Sequence, residues 1–96
     1  MPRLIWSPAA LEDIHRLYRF LAAKDMDAAK LAAKTIRREA NILEKQPHIG
    51  RPMADMDPEY REWLIDFGNS GYVLLYHFDG ATALVLRVRH QKEAGY

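Results

Sequence analysis

After a short first run the apolar positions follow two regimes along the chain, a helical one up to Gln46 and a strand-like one from Trp63 onward. Arg3 to Trp6 is a short apolar run that stops at Ser7-Pro8, the pair expected where a strand gives way to a helix. Ser7 can cap that helix, and Pro8 suits its first position, where the missing N–H costs nothing. From there Leu11, Ile14, Tyr18 and Leu21 recur at spacings of three and four, with Ala10 and Leu17 on the same side and Glu12, Asp13, Arg16 and Arg19 opposite. This predicts an amphipathic helix. Asp25-Met26-Asp27 interrupts it with capping residues, and a second helix follows through Ala29, Ala32, Ala33, Ile36, Ala40 and Leu43 to Gln46-Pro47. The two stretches form a helical hairpin whose small apolar residues permit close approach. Lys30, Lys34, Arg37, Arg38 and Lys45 make its outer face basic.

Pro47-His48-Ile49-Gly50-Arg51-Pro52 is a turn-rich connector in which proline and glycine end the helix. The period then changes to that of strands. Trp63 to Phe67, Tyr72 to Phe78 and Thr82 to Val88 are rich in aromatic and aliphatic residues and are separated by Gly68-Asn69-Ser70-Gly71 and Asp79-Gly80. Asp-Gly between two such runs is a strong hairpin signal, so a three-stranded antiparallel meander is expected. In its last strand Leu84, Leu86 and Val88 should face one way and Ala83, Val85, Arg87 and Arg89 the other. The expected order is β-α-α-β-β-β, an α+β domain spanning residues 1–96, with the helical hairpin packed on a small, mainly antiparallel sheet. The first strand must pair with a late strand, because it is not stable alone.

Composition narrows the class. The chain has 96 residues with no Cys, a 49% hydrophobic share and a formal net charge of +1, which excludes a disulfide scaffold, a thiolate metal site and a disordered chain. No apolar leader and no run long enough to span a membrane are visible, so a soluble, cytoplasmic protein is expected. The small net charge hides an uneven distribution: residues 1–50 hold nine basic and six acidic side chains, residues 51–96 five and seven. Asp55, Asp57, Glu59, Glu62 and Asp66 crowd one segment, whereas Arg87, Arg89 and Lys92 oppose only Glu93 in the last ten residues. The pattern suggests a local polar binding surface.

His15, His48, His77 and His90 show no compact ligand spacing, so neither a metal nor another cofactor is expected. No phosphate-cradling glycine loop occurs, and Ser7 and Ser70 fall at a cap and a turn. The polar group that resists a purely structural account is Arg87, Arg89, His90, Lys92 and Tyr96, with Arg51 and Arg61 within reach. Arginine beside histidine and tyrosine can grip phosphate and move protons, as cleavage of RNA at a 2′-hydroxyl requires. In the plainer account His90 packs at a strand end, and Arg61 and Glu62 form an edge-strand charge pair.

Trp6-Ser7-Pro8-Ala9-Ala10-Leu11-Glu12-Asp13-Ile14, the helical hairpin, Pro47-x-x-Gly50-Arg51-Pro52, Tyr60-Arg61-Glu62, Gly71-Tyr72-Val73-Leu74-Leu75-Tyr76 and Val88-Arg89-His90-Gln91 together resemble the ParE/RelE superfamily of type II toxins, which includes plasmid-stabilisation proteins. The likeness runs over nearly the whole chain. It implies a toxin paired with a cognate antitoxin whose flexible segment would wrap it, with Tyr18, Phe20 and Trp63 as candidates for the groove. RelE-like members are ribosome-dependent mRNA endoribonucleases, and ParE-like members poison DNA gyrase. In the ribonuclease class an arginine commonly follows the Gly-Tyr pair, and here that position is Val73, which carries no charge and no donor. Asp55, Asp57 and Glu59 stand where that class has a lysine-rich loop and would repel RNA phosphate. The resemblance therefore favours a non-enzymatic gyrase inhibitor, with Arg51, Arg87, Arg89, His90 and Lys92 as target-binding residues. Under the nuclease alternative, Arg61, Arg89, His90 and Tyr96 would act on mRNA in the ribosome.

Overall fold

Two capped helices and a set of strands follow one another in the computed structural model, which describes residues 2–93, 95 and 96. In chain order they are β1 (Arg3–Trp6), α1 (Pro8–Ala22), α2 (Met26–Ala40), α3 (Ile42–Lys45), β2 (Arg51–Pro52), β3 (Tyr60–Phe67), β4 (Ser70–Phe78) and β5 (Thr82–His90). Ser7 Oγ accepts the Ala10 N–H and the Asp25 carboxylate accepts the Ala28 N–H, so both long helices begin on the capping residues the sequence offered. The expected single helix up to Gln46 is instead interrupted at Asn41, a poor helix former whose side chain competes for backbone partners. Asn41 keeps helical backbone angles of −62° and −21°, and the chain resumes at once as α3.

The strands form one sheet in the order β1-β5-β4-β3-β2. β1 runs parallel to β5, and all other pairs are antiparallel. Since β1 and β2 lie at opposite edges, the helices that join them cross over one face of the sheet. The architecture is α+β with a mixed sheet. β2, absent from the expected order, is only Arg51 and Pro52 opposite Glu62 and Arg61. Proline has no ladder donor and fits only at such an edge. The turn before β5 is held by Asp79, whose carboxylate accepts the N–H groups of Ala81 and Thr82, while Gly80 takes a φ of +99° that favours glycine.

The core lies between this face and the hairpin. Ile14, Leu17 and Ile36 meet Ile65, Leu74, Tyr76, Val85 and Val88 there. The alternation expected for β5 holds only to its middle. Leu75 opposes Arg87 but Tyr76 opposes Val85, so Leu86 is an extra residue, a bulge that reverses which face later residues meet. Val88 consequently joins Ala83 and Val85 in the core, and Arg87 and Arg89 share the open face with Leu84. Asp13, expected on the polar side of the first helix, is only 4% exposed. Among the described residues no helix is long and apolar enough to cross a membrane.

Candidate functional site

Beyond Val85, β1 no longer flanks β5, and α1 takes over that edge. The Ser7 N–H donates to the Val85 carbonyl at 2.9 Å, and Ser7 Oγ donates to the Leu86 carbonyl at 2.9 Å. The Val88 N–H then donates to the Asp13 carboxylate at 2.9 Å, so a side chain stands in for the missing strand. Arg87 donates twice to the same carboxylate, at 2.7 Å from Nε and 3.1 Å from Nη2. Burial alone would raise the Asp13 carboxyl, but the hydrogen bonds from Arg87 and Val88 and the charges of Arg87 and Arg16 outweigh it and hold the group below its ordinary value. Arg87 is thus neutralised within the fold.

The open face of the sheet carries a second cluster. Glu62, buried opposite Leu75, accepts from Arg51 Nη2 at 3.1 Å and from the Tyr96 hydroxyl at 2.8 Å. The Arg89 guanidinium stands 5.2 Å from the centre of the Tyr96 ring. Arg89 lies opposite Val73 and Glu62 opposite Leu75, so the ring bridging them lies across Val73 and Leu75. Burial, then the hydrogen bond and negative charge of Glu62, push the Tyr96 hydroxyl far above its ordinary value. It stays protonated here, a hydrogen-bond donor to Glu62 and a reluctant acid. Arg89 Nη1 donates to the carbonyls of His90, Gln91 and Glu93, pinning the residues after β5.

His90 closes the end of the strand. Its Nε2 is 2.9 Å from Ser70 Oγ, and its Nδ1 accepts the Lys92 N–H at 3.2 Å. With Nδ1 accepting, the neutral ring carries its proton on Nε2 and donates to Ser70. This tautomer, assigned from the hydrogen bonds, cannot activate the serine. The ring also meets Tyr72 edge-on at 5.5 Å. Glu93 accepts the His90 N–H at 2.8 Å and pairs with Arg16 at 3.0 Å, tying the segment to α1.

Of the residues singled out from sequence, the structure gathers Arg51, Arg89 and Tyr96 around Glu62 and sets His90 and the exposed Lys92 beside them at the end of β5. Arg87 is drawn off to α1. Arg61 does not pair with Glu62, because neighbours in a strand point to opposite faces. It lies on the helix side and donates to the carbonyls of His48 and Gly50 at 3.1 and 2.7 Å, fixing the connector. Glu62, Asp13 and Ser70 carry no functional assignment from sequence; Glu62 stands there only in the acidic stretch, in the Tyr60-Arg61-Glu62 motif and as the supposed partner of Arg61. Tyr18 lines a groove between α1 and α2 with Leu11, His15, Ala33 and Arg37. Phe20 is 66% exposed under the Lys24 ammonium, and Trp63 packs against the core. Among the described residues no group of acids and histidines converges as a metal site.

This fold has counterparts among known proteins. The family of ParE toxins of type II toxin-antitoxin systems, parDE, matches residues 4–95. The chain belongs to that family. Toxin RelE3 of Caulobacter vibrioides is 31% identical over 86 residues, 90% of each chain, and Toxin RelE1 of the same organism is 32% identical over 87 residues, 91% of this chain and 90% of the relative. Among solved structures, a chain of the chromosomal ParDE system of P. aeruginosa superposes with a TM-score of 0.78 at 18% identity, over 94% of this chain and 96% of that one. A chain of the RelBE2 toxin-antitoxin complex of Mycobacterium tuberculosis gives 0.62 at 26% identity, over 95% and 100%. In this ParE-family toxin Val73 is 2% exposed and lies opposite Arg89.

Proposed function

We propose that this toxin inhibits DNA gyrase by binding it, cuts no nucleic acid itself, works in the cytoplasm as a single domain, and is neutralised by a cognate antitoxin. The observation that carries the reading is the internal commitment of the groups a nuclease would need. Arg87 is held by Asp13, Arg61 by two connector carbonyls and Arg89 by three carbonyls, while Tyr96 is kept protonated against Glu62. A phosphate approaching this face meets neither a free arginine fork nor a ready base. His90, Lys92 and Arg51 at the rim, with Arg87 and Arg89 behind them, are the residues assigned to the target. The antitoxin is supported by the toxin-antitoxin complexes among the structural relatives.

Purified protein added to gyrase and relaxed plasmid is expected to stop supercoiling or to accumulate cleaved DNA. The names of the two Caulobacter relatives favour the other reading, a ribosome-dependent endoribonuclease. If gyrase is untouched at large molar excess while translating ribosomes yield cut mRNA, that reading replaces the first. Arg61, Arg89, His90 and Tyr96, with Glu62 added, then become the residues to substitute.

A further inference from the structure

Helix α2 presents a strongly basic outer face. At about 100° per residue, Lys30, Lys34, Arg37 and Arg38 fall within one arc of about 100°, and all four are exposed. Lys30 and Lys34 are one turn apart, as are Lys34 and Arg38. Like charges at this spacing destabilise a helix. None of the four makes an ion pair or a side-chain hydrogen bond among the described residues, whereas Arg16, Arg51, Arg61, Arg87 and Arg89 are all engaged. The helix dipole favours Arg37 and Arg38 in the last turn, but it gives nothing to Lys30 and Lys34 in the middle. Only Asp27 brings a negative charge into the arc.

We propose that this face of α2 docks on the phosphate backbone of double-stranded DNA, so that the toxin grips the DNA held by gyrase as well as the enzyme. Lys30 to Arg38 span about 12 Å of helix, which matches the axial rise of about three phosphates on one strand. No large apolar residue sits at the centre of the arc, as a protein-binding patch would need for its anchor; Leu31 and Met26 lie at its two margins. The formal net charge of +1 keeps such binding weak, which suits a surface that acts only once gyrase has brought DNA close.

The inference rests on the gyrase reading for its purpose, so DNA binding is measured without gyrase. A labelled duplex of about 20 base pairs is titrated with the full chain between about 50 and 200 mM salt, followed by anisotropy. Log affinity is expected to fall against log salt with a slope of about 3. The double variant Lys30→Gln/Lys34→Gln is expected to lower that slope by about 2 and weaken binding at least about tenfold. Arg3→Gln/Lys24→Gln, equal in charge but on β1 and on the turn after α1, should leave the slope unchanged. Equal slopes in both double variants, or no binding at low salt, overturn the proposal. Tighter binding to an RNA duplex of the same length overturns it in favour of RNA. If wild-type toxin leaves supercoiling untouched while the DNA slope behaves as expected, the gyrase reading falls and the DNA face stands.

Discussion

Asp13 and Arg87 join the first helix to the last strand through two hydrogen bonds, across a separation of 74 residues. The pair is lopsided: the aspartate side chain is 6% exposed and the arginine 38%. Removing Arg87 therefore leaves a buried carboxylate with the Val88 N–H and the looser Arg16 guanidinium at 3.7 Å, whereas removing the Asp13 charge leaves a cation that water can reach. Arg87→Ala is expected to cost about 3 kcal/mol and Asp13→Asn about 1–2 kcal/mol, measured as shifts of the urea midpoint at neutral pH. An equal or reversed order would contradict this account of the pair.

Acid should weaken the fold through the same carboxylate. Asp13 and Glu93 both titrate below their ordinary values of 3.8 and 4.5, because for each the hydrogen bonds and the nearby arginine outweigh a burial that acts the other way. A depressed carboxyl contributes stability that is complete above its unfolded value and is lost as pH falls through the folded one. The urea midpoint is expected to hold down to the ordinary carboxylate range and then decline. In Asp13→Asn the decline should be shallower.

At the alkaline end the sign is reversed. Tyr72, Tyr76 and Tyr96 are all pushed above 10.0, chiefly by burial, so the folded state keeps protons that the unfolded chain releases. Stability should fall as pH rises past that value. Phenolate absorbance at high pH should report fewer than the chain's five tyrosines until the protein unfolds. Tyr96→Phe should remove one of the late-titrating groups without abolishing the fold.

The connector offers a sharper test. The Tyr76 hydroxyl donates to the Pro47 carbonyl at 2.7 Å and accepts the buried Gly50 N–H at 2.9 Å. Tyr76→Phe strands both partners and is expected to cost about 2 kcal/mol, read by thermal melting. At Gly71 a Cβ would stand 2.0 Å from the Ile65 carbonyl oxygen, inside the ladder between β3 and β4. Gly71→Ala is expected to cost more than about 3 kcal/mol.

What the sequence revealed was local. Ser7-Pro8, the spacing of Leu11, Ile14 and Tyr18, and Asp79-Gly80 each carry their structural instruction within a few residues, so the helical hairpin and the meander were legible. Leu86 carries no such mark: a bulge is decided by how two strands share their hydrogen bonds, and it reassigned Val88, Arg87 and Arg89 to new faces. Asp13 was misplaced because a polar side chain was read as solvent-seeking, when its partner lay far along the chain. The same holds for the site. Arg51, Arg89 and Tyr96 could be named from residue type, but Glu62 as the common acceptor of Arg51 and Tyr96 depends on strand register.

The pairing of β1 with β5 also orders events in time. Ser7 and Leu86 are hydrogen-bonded across 79 residues, and the sheet edge they close does not exist until the final strand is available. Contacts of such long separation form late and slowly. While the chain is being synthesised, Leu4 and Trp6 have no strand beside them and Asp13 lacks Arg87. A chain halted before Thr82 should therefore remain a protease-sensitive intermediate, so toxicity depends on translation reaching the last strand.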